Sequence, residues 1–336
     1  MSYRPLPHGR ARLEVAIVER PTFDPLLPLL VESTLRAVTD HHFGLTLANV
    51  TGTGDRGRAL WRWQPNRPQV SLSASAPRAL GLPGIVTAEA LWDEQSYRIP
   101  ARGADDVVVR ETRKRASLTV EEWWRADTKA GVSVAVDEWS NRGRALSIAA
   151  RVDQRLAEDR VSVAGWLAGW TRASGPPFHA GALRLSARSR ATDGRRPVLR
   201  LDLAYEGASR RAPLGLWSGA GTGLGRDLLL RAHPLLRAGI VEGRCFGREV
   251  LRAGLEGEAA VGSLGPLAFN AALFVDSARV LASLPGAPSR PGFVDLGAGV
   301  RVRLPGRGSS LRLDVSTPWG HLRPQLSVGW QAEWPN

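Results

Sequence analysis

The sequence predicts an all-β fold, a transmembrane antiparallel β-barrel of about sixteen strands. Two observations predict the barrel itself. Apolar and polar residues alternate with period two along most of the chain, and short glycine-, proline- and asparagine-rich joints separate the alternating segments. A third, the twelve tryptophans, places that sheet in a bilayer, because several of them fall near strand ends.

Taken in order, the run DPLLPLLVESTLRAVTD contains Pro25 and Pro28, so its first half reads as a linker. Its second half, 30–38, reads as the first barrel strand and carries Leu35 and Ala37. Strand-like segments follow near 41–50, 57–64, 68–76, 84–98, 111–124, 128–139, 143–153 and 159–170. GALRLSARS sets Leu183, Leu185 and Ala187 against Arg184, Ser186 and Arg188. LRLDLAYE sets Leu199, Leu201, Leu203 and Tyr205 against Arg200, Asp202, Ala204 and Glu206. Two more segments lie near 248–258 and 266–276.

The last three segments alternate most cleanly. Leu296, Ala298, Val300, Val302 and Leu304 oppose Asp295, Gly297, Gly299, Arg301 and Arg303. Leu311, Leu313 and Val315 oppose Arg312, Asp314 and Ser316. Leu326, Val328, Trp330, Ala332 and Trp334 oppose Gln325, Ser327, Gly329, Gln331 and Glu333. The joints Thr51-Gly52-Thr53-Gly54-Asp55, Pro65-Asn66-Arg67-Pro68, Asn141-Arg142-Gly143, Asp193-Gly194 and Pro305-Gly306-Arg307-Gly308 favour hairpins.

In lipid every backbone amide needs a partner, so a sheet that crosses must close on itself. About sixteen strands enclose a lumen too wide for small side chains to fill, and water, charges or an inserted loop must occupy it. Trp61, Trp63, Trp92, Trp124, Trp217, Trp319 and Trp334 are the candidates for interfacial girdles.

Composition narrows the function. The formal charge is +13 with a pI near 11.2, but the basic residues run from Arg10 to Arg323 and do not cluster. A soluble basic β protein that binds nucleic acid would need them on one outer face, and no nucleic acid partner is expected. The first twenty residues lack the apolar core of a secretory signal, and no window is long and apolar enough for a transmembrane helix. The single cysteine, Cys245, excludes a disulfide framework. The six histidines have no short ligand spacing, so neither a metal nor a cofactor is expected. Gly219-Ala220-Gly221-Thr222-Gly223 lacks the lysine of a phosphate loop, and no nucleophile, base and orienting group assemble into an enzyme site.

Several motifs together resemble the C-terminal barrel of the bacterial surface antigen superfamily, the BamA/TamA-like outer-membrane assembly and translocation factors. They are RLEVAIVERP, FGLTLANVTGTGDR, SLSASAPRALG, ALFVDSARV, GAGVRVRLPGRGSSLRLDVSTP and PQLSVGWQAEW, in that order along the chain. The resemblance implies that 1–25 is the remnant of a periplasmic POTRA-like segment and linker, with no full periplasmic domain before the barrel at 26–336. It also implies a lumen loop with an Arg-Gly-aromatic tripeptide whose arginine meets acidic residues on the inner wall. In LLLRAHPLL that place falls to Arg231-Ala232-His233, where alanine and histidine depart from the pattern, and the acidic residues are Glu256 and Asp276. Arg244-Cys245-Phe246 is the rival tripeptide, too close to the next strand to reach far.

The implied function is non-enzymatic: insertion of proteins into the bacterial outer membrane, or their translocation across it. It needs a lateral seam between the first strand, with Leu35 and Ala37, and the last, with Leu326, Val328 and Trp330. The implied partners are outer-membrane lipids, unfolded outer-membrane protein clients and a separate periplasmic or lipoprotein subunit. The alternative is a passive channel or scaffold subunit.

Overall fold

The computed structural model describes residues 2–6, 10–14, 33–34, 36–38, 41–100, 106–157, 159–189, 197–222, 230–242, 245–283, 292–303, 309–320 and 323–332. Fifteen strands of seven residues or more carry the fold. The first five are β1 (His42–Ala48), β2 (Arg56–Arg62), β3 (Gln69–Pro77), β4 (Ile85–Ile99) and β5 (Val107–Arg125). The next five are β6 (Thr128–Trp139), β7 (Gly143–Leu156), β8 (Val161–Arg172), β9 (Phe178–Arg188) and β10 (Val198–Ala208). The last five are β11 (Phe246–Leu264), β12 (Leu267–Ser283), β13 (Phe293–Arg303), β14 (Ser309–Pro318) and β15 (Gln325–Ala332).

Every consecutive pair is antiparallel, including β10 and β11, which meet as Arg200↔Glu256 and Leu203↔Ala253 although a long connection separates them. The ring order sets β15 beside β1. A residue-by-residue register runs through all the other neighbouring pairs, and among the described residues none is defined for that one. A separate hairpin joins Ser2–Leu6 to Arg10–Glu14.

The barrel is turned inside out relative to a soluble domain. Leu72, Val134, Ile148, Leu167, Leu183, Leu203, Leu255, Leu273, Val300 and Leu326 are all exposed on the outer face. Asp137, Asp295, Arg301 and Asp314, by contrast, are fully buried on the inner face. Alternation has set this arrangement: a strand that puts apolar residues toward lipid must put the intervening ones inward. No helix among the described residues is long and apolar enough to cross a membrane, so crossing rests on the strands.

Three expectations are corrected. Residues 33–34 and 36–38 are helical, so the expected first strand at 30–38 is not formed there, and among the described residues the first barrel strand is β1, from His42. Arg36 and Ala37 are good helix formers, which favours a helical turn over a strand. Ala37 is therefore on no seam strand, and Leu35 lies outside the described residues. Trp217, expected in an interfacial girdle, is 7% exposed and packs inside the lumen against Phe246, at 6.0 Å between ring centroids. Trp61, Trp92, Trp124 and Trp319 do face outward or stand at a rim, and Trp334 lies outside the described residues, as do the joints Asp193-Gly194 and Pro305-Gly306-Arg307-Gly308.

The core sits inside the barrel, at one end. Tyr97, Trp139, Trp170, Phe178, Trp217, Phe246 and Phe293 form it with Leu230, Leu235 and Val241 from the connection between β10 and β11. Rings of this size bury much apolar surface, and the connection supplies the partners that bare inner walls would lack.

Candidate functional site: the lumen loop and its charge cluster

The connection 209–245 folds into the barrel in steps that its sequence explains. Leu214–Leu216 makes a short 3-10 turn whose Gly215 N donates to Glu111 Oε1 on β5 at 2.7 Å. Ser218–Gly219 then pairs with Phe246–Gly247 at the start of β11. Leu230–Pro234 runs along the inner face of β12 to β15. A tight turn follows, Leu236–Arg237 against Ile240–Val241, with Gly239 at φ 79°. A side chain there would run into the Pro65 carbonyl, so the close approach to the 63–68 turn requires glycine. Finally Ile240–Glu242 pairs in parallel with Ser96–Arg98 of β4, and Arg98 Nη1 meets Glu242 Oε1 at 3.0 Å. The loop thus touches two separate walls.

On the β11–β14 wall the loop presents Arg231. Its Nη2 lies 2.6 Å from Glu256 Oε2, its Nε 3.1 Å from Asp276 Oδ2 and its Nη1 3.5 Å from Asp314 Oδ2. Its Cζ stands 3.6 Å from the centroid of the Phe274 ring, a cation–π contact shielded from water. Arg231 and the two acids named from sequence, Glu256 and Asp276, are therefore brought together, each less than a tenth exposed. A guanidinium addresses several carboxylates at once because its donors fan out in a plane.

His233, the fourth residue named, turns to a different partner. Its Nδ1 is 2.7 Å from Asp295 Oδ1, and the backbone N–H of Ala232 donates to Asp295 Oδ2 at 2.6 Å. The imidazole meets the Phe293 ring edge-on at 5.0 Å. Arg244 of the rival tripeptide lies outside the described residues, and Phe246 is taken up by β11, where it packs on Tyr97.

Sequence reasoning missed the residues that complete the cluster. Arg301 Nη1 meets Asp314 Oδ1 at 2.6 Å, and its Nη2 and Nε meet the two oxygens of Glu256 at 2.8 and 3.1 Å. Arg312 Nε is 3.3 Å from Asp314 Oδ2. Three arginines and three carboxylates interlock this way, so each buried charge has an opposite neighbour, as burial demands. Inward parity at 301, 312 and 314 was readable from alternation, but cross-strand register was not. Beside this cluster, Glu258 meets Arg200 and Arg303, both at 3.1 Å.

The arrangement fixes the loop to the wall through charged contacts. Among the described residues no group of His, Cys, Asp or Glu could hold a metal. Leu326 and Val328, expected on the seam, face outward on β15, opposite Val315 and Leu313 of β14, and Trp330, expected beside them, is the register partner of Leu311.

No family model matches the sequence, and no curated protein does. Solved structures do match the fold. A BamA from Haemophilus ducreyi lacking POTRA domains 1–3 aligns over 86% of this chain and 66% of its own, at 12% identity and a TM-score of 0.57. CdiB from Escherichia coli aligns over 86% of this chain and 58% of its own, at 13% identity and a TM-score of 0.56. The chain spans less than two-thirds of each of those proteins. At such identity the likeness concerns architecture, and its conclusion is that this chain has the BamA- and CdiB-like transmembrane β-barrel fold.

Proposed function

We propose that this chain is a non-enzymatic barrel of the bacterial outer membrane that inserts proteins into that membrane or translocates them across it. Arg231 holds the loop in the lumen by its contacts with Glu256 and Asp276, and the seam between β1 and β15 is where a client strand pairs. The observation that carries the reading is the loop itself, which is anchored to two separate walls of the barrel, at Arg231 and at Ile240–Glu242. The seam draws support from strand length: β1 has seven residues and β15 eight, against nineteen in β5 and β11. Short ladders are the easiest to part, and a parted edge offers unpaired N–H and C=O groups to an incoming strand. The hairpin at Ser2–Glu14 belongs to the periplasmic side in this reading, and a separate periplasmic or lipoprotein subunit delivers the client.

The experiment is reconstitution into proteoliposomes with an unfolded outer-membrane protein as client. Client folding into protease-resistant form should be faster than in empty vesicles, and planar bilayers should show small, unsteady openings. No acceleration, together with a steady wide conductance, would establish the passive channel instead.

A further inference from the structure

The two walls of the lumen differ in charge. The wall that receives Arg231 is closely balanced, its arginines and carboxylates interlocked and buried. The inner faces of β5–β9 carry eight basic side chains and four acidic ones by strand parity. Glu121 answers both Lys129, at 2.7 Å, and Arg151, at 3.0 Å; Asp202 on β10 meets Arg184 at 3.1 Å and Asp159 meets Arg155 at 4.0 Å, and cations still outnumber carboxylates on this wall. Two tryptophans sit among these cations. Trp166 is the register partner of Arg151 and is 42% exposed, while Arg155 lies 5.2 Å from the ring centroid of Trp123, itself 43% exposed. The Arg151 side chain is 57% exposed, so this surface faces water and not the loop.

We infer that the inner wall of β5–β9 is a binding surface for an extended, acidic stretch of polypeptide. The inference rests on the barrel fold and holds whether or not the chain inserts proteins. Charge complementarity selects an anion. A lipid is excluded by the wall between the cations, where Gly131, Ala164 and Ala182 offer acyl chains no broad apolar surface. A nucleic acid strand fits poorly, because Glu121 and Asp153 share the face and would oppose a charge on every nucleotide. The Arg155 guanidinium also occupies the Trp123 ring that a base would stack on. A polypeptide can place neutral residues opposite those two acids. Acidic side chains on alternate residues of an extended chain recur at about 7 Å, and cations on neighbouring or next-neighbouring strands recur at about 5 to 10 Å.

The test uses the purified full chain in nanodiscs and a labelled (Glu-Ala)10 peptide, with (Gln-Ala)10, oligothymidylate and lipopolysaccharide as comparison probes. The acidic peptide should bind at least about tenfold tighter than the other three, and its binding should weaken as salt is raised. The double variant Arg151→Gln/Arg155→Gln should weaken it about tenfold and Trp166→Ala severalfold, with the heat-modifiable gel band unchanged. Should the double variant not fold, Trp166→Ala and the probe ranking decide. Equal binding of the acidic and amide peptides, tighter binding of oligothymidylate or lipopolysaccharide, or a folded Trp166→Ala chain that binds like the parent would overturn the inference.

Discussion

Arg301 and Asp314, on neighbouring strands, meet at 2.6 Å with neither side chain exposed to solvent. The pair lies two residues off direct register, since Arg301 pairs with Arg312 across the ladder, so the guanidinium leans along the barrel to reach its carboxylate. It forms the floor on which Glu256 and Arg231 are stacked.

Arg301→Ala should therefore cost about 3 to 5 kcal/mol, because it strands Glu256 and Asp314 without a fully compensating cation. Urea unfolding in detergent, followed by the heat-modifiable gel shift, measures it. An unchanged midpoint would show that water already screens these carboxylates.

Gly299 sits where a methyl group would overlap Asp314 Oδ1 and crowd the Leu313 carbonyl. Gly299→Ala should destabilise by about 1 to 3 kcal/mol, while the neighbouring outward Ala298→Val should be close to neutral. Equal effects at the two positions would remove the close-approach argument.

At the loop, Arg231→Ala should lower the unfolding midpoint more than Arg231→Lys does. Lysine keeps the charge but not the fan of donors that reaches Glu256, Asp276 and Asp314 together. Identical midpoints for the two variants would mean that charge alone holds the loop.

The turn between β1 and β2 supplies a pH dependence outside the membrane. Asp55 Oδ1 accepts from the Thr51 hydroxyl at 2.6 Å and the Thr51 N–H at 2.9 Å, which holds its carboxyl below the ordinary value of 3.8. A depressed folded value contributes order above the unfolded value and loses it as pH falls through the folded one. Exchange protection of the Thr51 amide should accordingly be constant from pH 7 to 5 and decline below about pH 4, and Asp55→Asn should abolish the decline. A decline already present near pH 6 would point to another group.

Fold and site were unequally legible in the sequence. Alternation is a local signal, so β10 and β13 to β15 could be read with the correct face, and Asp276 and Arg301 were inward by parity alone. The first strand failed because Arg36 and Ala37 favour a helical turn, and prolines just upstream made the run ambiguous. Arg231, Glu256 and Asp276 entered through resemblance, since nothing local says where a loop lands. Asp295 and Asp314 stayed hidden as partners because a contact between strands and loop depends on register and depth. Trp217 was misplaced for the same reason: strand-end position does not tell a lipid-facing ring from one in the lumen.

The central claim is that the loop crosses the lumen and is held at both walls, with Arg231 at one and Ile240 beside Ser96 at the other. Ile240→Cys with Ser96→Cys, in a Cys245→Ser background and in intact outer membranes, tests it most directly. Mild oxidation should give a disulfide in most chains and block maleimide labelling at both positions. Free thiols that both label fully after oxidation would contradict the account.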